Sequence, residues 1–467
     1  MTVIISMGLN LSFGLTLSDL YDLSPQGELL RLDQAFSTFL KESEPDLAGR
    51  YQQACQQDLS LSEQSNLMVL LAPWIEDFIG ELFNIRKAVS DLQSAHYKLA
   101  PLMTIKRHFV QRLAVKKYPD PCADDNSLGF PFEDELAFAN QVLKWQDQGD
   151  SQELETAARY AAWATLTPEG QQRHGQGVLF KTPAKIGPQS SLIPNLVQND
   201  QGAWCLPDNR LRKREGFNLT DPGFSRTQAF DHSHYCIHCH PQNKDSCSKG
   251  LALKAPSNPT LTGCPLEQKI SEMNAVKAKG YTVAALAIIC VDNPMVAATG
   301  HRICNDCMKA CIFQKQEPVN VPGVETQILQ DVLNLPWGFE IYSLFIRWNP
   351  LKFSQRLPKP NTSKAVLVAG MGPAGFTLAH YLLNEGHTVV GIDGLKIEPL
   401  PDDLKNMPLK DINSLYEYLD ERTVGGFGGV AEYGITVRWN KNFLKVIRLL
   451  LERRQRFLLK GGVRLGG

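Results

Sequence analysis

Seven cysteines between positions 236 and 311 constrain this chain more than any other feature of its sequence. They form two groups, and each group contains one C-x-x-C pair. Such a pair lets one turn of chain present two thiolates to one metal centre. The first group is Cys236, Cys239, Cys247 and Cys264, and the second is Cys304, Cys307 and Cys311. A cubane iron–sulfur cluster takes four ligands, and a Cys-Pro such as Cys264-Pro265 often serves the other cluster of a pair. The pattern therefore favours two 4Fe–4S clusters, held by seven thiolates and one non-cysteine group.

Disulfides and zinc are the competing interpretations of these cysteines. Disulfides leave one thiol of the seven unpaired and are rare in a reducing compartment. A tetrahedral zinc site could instead use both C-x-x-C pairs, with ligands Cys236, Cys239, Cys304 and Cys307. Imidazole also suits zinc, and four histidines flank the first pair: His232, His234, His238 and His240. We interpret these histidines as polar loop residues, and a non-catalytic zinc- or cluster-binding interaction module remains the alternative function.

Length and charge limit the remaining possibilities. At 467 residues the chain is too long for one core, so several domains are expected. A net charge of −1 gives no argument for nucleic acid or an anionic membrane surface. The longest apolar run, 283–291, is far shorter than the roughly 20 residues of a membrane helix. The first residues lack the basic segment of a secretory signal. We therefore expect a cytoplasmic protein with neither nucleic-acid nor membrane partners.

Residues 1–225 are predicted to be mostly helical. Ser60 and Glu63 form a capping-box pattern before an apolar stretch. The apolar residues that follow recur at i, i+3, i+4, i+7 and i+8, which indicates one face of an amphipathic helix. A second helix is expected to open at Asp150 and to end before Pro168. We assign this region no chemistry.

Two helices are predicted between the cysteine groups. Apolar residues from Leu266 to Val276 recur at helical spacing and are followed by Gly280. Residues 281–290 form a second short helix, which ends at Asn293-Pro294. Such a pair would fold the second cysteine loop back onto the first. We expect this return to bring Cys264 near Cys304 and Cys307, and Cys311 near the first group.

A nucleotide-binding pattern begins at residue 365. An apolar strand over 365–369 runs into the G-x-G-x-x-G turn of residues 370–375, and helical spacing follows. A second strand over 388–392 ends in Asp393. This context is what a dinucleotide fingerprint requires, because the glycines let the backbone approach a pyrophosphate at the helix N-terminus. Asp393 would accept hydrogen bonds from the adenosine ribose.

Residues from about 226 to 467 resemble the iron–sulfur flavoprotein family of the glutamate synthase small subunit and of the N-terminal region of dihydropyrimidine dehydrogenase. The resemblance rests on the order of the cysteines, on G-x-R-x-C at 300–304, on the glycine-rich turn and on residues 428–435. It implies that one cluster is held by Cys236, Cys239, Cys247 and Cys311. It implies that the other is held by Cys264, Cys304, Cys307 and Glu325.

The resemblance also implies FAD as a cofactor. The pyrophosphate turn would comprise Gly370, Gly372, Pro373, Ala374 and Gly375, with Asp393 on the ribose. The segment along the flavin would include Gly429, Tyr433 and Gly434. No catalytic residue is indicated.

The fold class that follows from the resemblance is multidomain. It comprises an α-helical N-terminal region (1–225), an α-helical two-cluster ferredoxin-like domain (226–360), and the N-terminal part of an α/β Rossmann-type FAD-binding domain (361–467). The implied function is an oxidoreductase that passes electrons from NAD(P)H via FAD to the clusters and an unknown acceptor.

This sequence departs from the family at several points. The gap from Cys239 to Cys247 is longer than in the family, and that from Cys304 to Cys307 is shorter. About 34 residues separate Asp393 from Gly428, where the family has only a few. The family's NAD(P)H domain has no counterpart in these residues. We therefore expect the partner to be an electron-acceptor protein or the C-terminal half of the enzyme, and NAD(P)H to be a substrate of the complete enzyme.

Overall fold

A computed structural model describes most of the chain. The described residues are 9–21, 27–122, 134–183, 197–206, 219, 222–252, 260–299, 304–419, 427–428 and 440–463. Within them, none of the helices combines the length and the apolar character that crossing a bilayer requires.

Four helices follow a short 3-10 turn, Asp19–Tyr21, at the start of the chain. They are α1 (Glu28–Ser43), α2 (Pro45–Gln56), α3 (Leu61–Leu82) and α4 (Arg86–Tyr97). The predicted capping box at the start of α3 is confirmed, because Ser60 accepts from the Glu63 N–H and Glu63 accepts from the Ser60 N–H. Both bonds satisfy backbone donors that a helix start leaves open.

A second helical group has its own apolar core. Its elements are α5 (Ala100–Ile105), a π-helical segment (Lys106–Ala114), α6 (Val115–Lys117), α7 (Glu135–Gln148), α8 (Ser151–Leu166) and α9 (Pro168–Arg173). Phe109, Phe138 and Tyr160 lie at the centre of this core. Helix α8 ends before Pro168 as predicted, but Pro168 then starts α9, since a proline is tolerated in the first helical turn. A two-residue antiparallel pair follows, formed by β1 (Val197–Gln198) and β2 (Trp204–Cys205).

The cysteine region contains short helices and one small hairpin. The helices are α10 (Arg226–Tyr235), α11 (Ser246–Lys249), α12 (Ile270–Ala278), α13 (Thr282–Asp292), α14 (Val296–Thr299), α15 (Asp306–Lys309), α16 (Val321–Leu333) and α17 (Gly338–Phe345). A 3-10 turn (His240–Gln242) and the antiparallel pair β3 (Leu251–Ala252) and β4 (Thr260–Leu261) lie between α10 and α12.

The predicted helix pair between the cysteine groups is present as α12 and α13. Gly280 between them has a φ of +85°, which glycine adopts without strain. Helix α12 begins four residues later than predicted, because Leu266 lies in a turn and is exposed.

The last part of the chain forms a three-stranded parallel sheet in the order β5 (Ala365–Ala369), β6 (Thr388–Ile392) and β7 (Phe457–Lys460). Helix α18 (Pro373–Asn384) joins β5 to β6. Helix α19 (Asp402–Asn406), a 3-10 turn (Ile412–Ser414) and helix α20 (Asn442–Glu452) lie between β6 and β7. The predicted strand–turn–helix–strand order is confirmed. Its assignment to a Rossmann-type flavin domain stays a prediction.

The first four helices share one apolar core with the cysteine region and the parallel sheet. Phe36 of α1 packs edge to face on Phe78 of α3 and on Trp348, with ring centroids 5.2 and 5.9 Å apart. A polar contact joins the same regions, because Trp348 Nε1 donates to the Asp33 carboxylate at 2.9 Å. The N-terminal helices therefore pack against the cysteine region and help to stabilise it.

A buried ion pair links three distant parts of the chain. Arg453 Nη1 lies 2.6 Å from Glu340 Oε1, and neither side chain is exposed. The Tyr21 hydroxyl donates to Glu340 Oε2 at 2.8 Å, and the Leu409 N–H donates to Oε1 at 2.8 Å. The carboxylate thus receives donors from the 3-10 turn at Asp19–Tyr21, from the loop after α19 and from the residue that follows α20.

We predict that Arg453→Met destabilises the folded chain by roughly 3–5 kcal/mol, because it leaves the Glu340 charge buried and unpaired. Thermal unfolding followed by circular dichroism measures the change. The control is Lys87→Ala, which removes an exposed i,i+4 pair with Asp91 and should cost less than about 1 kcal/mol. Equal melting temperatures for the two variants would contradict a structural role for the buried pair.

Candidate iron–sulfur centre and nucleotide turn

The first C-x-x-C pair lies in a tight turn at the end of α10. The Cys236 N–H donates to the His232 carbonyl at 3.1 Å, and the backbone then leaves the helix with ψ 135°. His238 has a φ of +52°, in the left-handed region, and Cys239 follows as the residue that precedes the 3-10 turn. The reversal keeps both thiols of the pair on one side of the chain.

Two further cysteines join this pair from different directions. Cys247 lies in α11, and its carbonyl accepts from the Cys264 N–H at 2.8 Å. Cys311 comes from the second cysteine loop and is only 6% exposed. All four thiols line one small cavity: Cys236, Cys239, Cys247 and Cys311.

The remaining wall of this cavity is mostly apolar. It is formed by Ile237, Ile270, Ile312, Phe313, Val319 and Val321. Three polar residues interrupt it: Asp245, Ser246 and Asn274. Asp245 Oδ1 accepts from the Cys247 thiol at 3.1 Å, whereas neither polar atom of the Asn274 side chain has a hydrogen-bond partner in the part of the chain that is described.

The thiols of this first group are electrostatic neighbours. Burial, together with the proximity of Cys239, Asp245 and Cys311, raises the pKa of Cys236 to about 12. Burial also raises the pKa of Cys247. A metal centre here would have to displace protons from neutral thiols, so its binding would release them to solvent.

A second group forms around Cys264. Burial raises the pKa of Cys264, and the proximity of Glu325 and Cys304 raises it further. Burial raises the pKa of Cys307, to which Glu325, Cys264 and Cys304 also contribute. Cys264, Cys304, Cys307 and Glu325 are thus close enough for their charges to influence one another.

Glu325 reaches this group from the second turn of α16. Asn320 caps the helix by accepting from the Gly323 N–H at 3.0 Å, which fixes where the turn begins. The Glu325 side chain is only 5% exposed, and burial raises its pKa to about 8. Gln268 lies beside it, with Oε1 at 3.7 Å from the Cys264 sulfur.

The two groups divide the cysteines differently from the zinc alternative. That alternative required Cys236 and Cys239 to meet Cys304 and Cys307, but the two pairs lie in separate groups. Among the described residues, no three Cys, His, Asp or Glu side chains are arranged to hold a single metal ion. Zinc requires thiolates at about 2.3 Å from one centre.

The histidines beside the first pair are bonded within the protein. His234 and His238 donate to backbone carbonyl oxygens at 2.9 and 3.1 Å. His232 accepts from the Asn320 N–H at 3.2 Å, and His240 bonds to the Ser271 hydroxyl at 2.7 Å. These bonds orient the rings and give no support to a histidine-ligated metal.

In the glycine-rich turn before α18, the backbone at Gly370 lies very close to the backbone at Gly375. Gly370 has a φ of +93°. A Cβ on Gly375 would lie 1.8 Å from the Gly370 carbonyl oxygen, so only glycine allows this packing. A Cβ on Gly372 would meet nothing closer than the Gly428 carbonyl, at 3.5 Å. Pro373 and Ala374 form the first turn of α18, whose open N–H groups and positive dipole end favour an anion.

Asp393 organises this turn. Its Oδ2 accepts from the Met371 N–H at 2.8 Å, and its Oδ1 accepts from the Leu395 N–H at 3.0 Å. The predicted contact with a ribose stays a prediction, and a carboxylate retains further lone pairs for it. The Gly428 N–H donates to the Met371 carbonyl at 3.1 Å, which brings Gly428 against the turn. Gly429, Tyr433 and Gly434 lie outside the described residues.

Two amides near the thiols were not predicted from the sequence. Asn274 follows Ile270 by one turn of α12, on the face that lines the first cavity. A polar residue within an apolar helix face was the available signal. Gln268 lies before the helix, and no local pattern marks it.

Comparisons with known proteins give the family. A family model described as the RP005 N-terminal alpha-helical domain matches residues 11–84. The uncharacterized protein RP006 of Rickettsia prowazekii is 57% identical over 172 residues, which cover 37% of this chain and 24% of that protein. The glutamate synthase [NADPH] small chain of Mycobacterium tuberculosis is 29% identical over 128 residues, 27% of this chain and 23% of that protein. The chain thus spans about a quarter of either relative.

A further relative is covered almost completely. The uncharacterized protein RP005 of Rickettsia prowazekii is 33% identical over 284 residues, which cover 54% of this chain and 94% of that protein. This chain therefore belongs to the family of RP005.

Proposed function

We propose that this chain is the electron-transfer part of an iron–sulfur flavoprotein oxidoreductase. Electrons from NAD(P)H would pass via FAD to two 4Fe–4S clusters and then to an acceptor, for which an electron-acceptor protein is the proposed partner. The observation that carries the proposal is one cavity lined by Cys236, Cys239 and Cys247 of the first cysteine loop and by Cys311 of the second. Distant similarity to an oxidoreductase, the glutamate synthase small chain, supports the same class.

The residues of the first group fit a cluster. Cys236, Cys239 and Cys247 come from one loop and Cys311 from the other, around a cavity with a largely apolar wall. Apolar surroundings exclude water and tune the reduction potential of such a centre. The unpartnered Asn274 amide offers a donor to an inorganic group. When bound, a 4Fe–4S cluster supplies reversible one-electron transfer.

The residues of the second group would provide three thiolates and one carboxylate. Cys304 is exposed, whereas Cys307 and Glu325 are buried. The exposed side of this group is where an acceptor protein could approach. The Glu325 carboxylate would have to lose its proton to act as a ligand.

The turn before α18 fits the pyrophosphate of a dinucleotide. Gly372 leaves open space for a phosphate, and α18 directs its N-terminus at that space. Asp393 accepts a hydrogen bond from the Met371 N–H, which stabilises the conformation of the turn. When bound, FAD supplies the exchange between two-electron and one-electron carriers.

Metal analysis of the anaerobically purified chain tests the proposal. We predict about eight iron and about eight acid-labile sulfide per chain, because two cubane clusters contain four of each. Dithionite should then produce electron paramagnetic resonance signals from two reduced clusters. About one zinc per chain without sulfide would refute the clusters and support the non-catalytic interaction module.

Single cysteine variants test how the ligands are divided. We predict that Cys236→Ser and Cys311→Ser, although on different loops, alter the same resonance signal. Cys264→Ser and Cys304→Ser should both alter the other signal, and each variant should lose up to about four iron per chain. Cys205→Ser, at a half-buried cysteine outside both groups, serves as the matched control and should change neither signal. Alteration of different signals by Cys236→Ser and Cys311→Ser would contradict the proposed division.

Gly372→Val tests the nucleotide turn. The added side chain would begin 3.5 Å from the Gly428 carbonyl, at the N-terminus of α18, so we predict a loss of at least tenfold in FAD affinity, and the melting temperature measured beside it reports any internal strain. Flavin released by heat and measured by fluorescence, together with titration of the apoprotein, gives the affinity. Gly49→Ala, where a Cβ also meets open space, is the control. Unchanged flavin binding by Gly372→Val would exclude this turn as the pyrophosphate site.

A further inference from the structure

Asn274 is a buried amide without a partner. Its side chain lies in the middle of α12 and is 0% exposed. Neither Nδ2 nor Oδ1 has a hydrogen-bond partner among the described residues. Buried polar side chains are normally hydrogen-bonded, because leaving them unpaired is unfavourable. The side chain therefore requires a partner from a group that binds next to it.

The place of Asn274 indicates which group this is. It lines the cavity that the thiols of Cys236, Cys239, Cys247 and Cys311 surround. Ile270, one turn earlier on α12, lines the same cavity, so this face of the helix is directed at the thiols. The polar neighbour Asp245 already accepts from Cys247. A group bound in this cavity would therefore lie within reach of the amide.

We propose that Asn274 Nδ2 donates a hydrogen bond to a sulfur atom of the first cluster and so raises the reduction potential of that cluster. The inference rests on the proposed function. Sulfide and thiolate sulfur accept hydrogen bonds, and such bonds are among the factors that set cluster potentials. An added electron makes the sulfur atoms more negative, so the bond stabilises the reduced form more than the oxidised form. A neutral amide achieves this without adding a buried charge.

Gln268 offers a matched comparison at the second group. It is 7% exposed and lies beside Cys264 and Glu325. Replacing either amide by an apolar side chain of similar size removes the donor and keeps most of the packing. Each replacement should affect only its own cluster.

The test is a redox titration of the anaerobic wild-type protein, Asn274→Leu and Gln268→Met, followed by electron paramagnetic resonance. The signals are assigned with Cys236→Ser and Cys304→Ser. For Asn274→Leu we expect a lower potential for the first cluster, an unchanged potential for the second, and unchanged iron content. Gln268→Met should leave the first cluster unchanged. An unchanged first potential in Asn274→Leu, or an equal shift of both clusters, would overturn the inference.

A second measurement uses the wild-type protein and does not depend on the variant folding. Protein labelled with ¹⁵N only in the asparagine side-chain amide should show coupling between that nitrogen and the reduced first cluster in pulsed electron paramagnetic resonance. Absence of the coupling would mean that the amide bonds elsewhere, for example to a water molecule. That result would overturn this inference and leave the proposed function standing. A wild-type chain without iron would overturn the proposed function together with it.

Discussion

The return of the chain through α12 and α13 is the constraint on which the candidate centre depends. These helices pack on each other and carry the second cysteine loop back to the first. Helix α13 is buried over 282–290, between α3 on one side and α16 on the other. Because α16 carries Glu325, the packing of one apolar helix positions all the groups around the second set of thiols. A change in the tilt of α13 would move these groups apart.

The N-terminal helices contribute to this constraint through buried polar contacts. Glu76 of α3 is fully buried and accepts from the Ala284 N–H, in the first turn of α13, at 2.9 Å. Burial raises the pKa of Glu76 to about 7. The Ser65 hydroxyl, also on α3, bonds to Glu272 of α12. Helix α3 therefore holds both members of the pair, which gives the N-terminal region a structural function where its sequence indicated no chemistry.

Local patterns in the sequence predicted the elements that are specified locally. The capping box of α3, the glycine turn at 370–375 and the strand that ends at Asp393 were all predicted, because each depends on residues a few positions apart. The contacts of Glu76 with α13 and of Arg453 with Glu340 were not, since they join residues more than 100 positions apart and leave no periodic signal. The division of the seven cysteines and Glu325 into two groups was predicted from the family resemblance and from the expected return of the chain through the helix pair.

The electrostatics of the first group explain why a neutral donor is needed next to it. Asp245 and Glu272 are buried nearby, and burial raises the pKa of both. A bound cluster with its thiolates would add negative charge to this region, and each further electron would be harder to add. Lysines could offset the charge, but Lys277 already bonds to Asp331 at 3.1 Å and Lys269 to Asp292 at 3.3 Å. With these two cations paired elsewhere, a hydrogen-bond donor such as the Asn274 amide would stabilise a reduced centre without adding a charge.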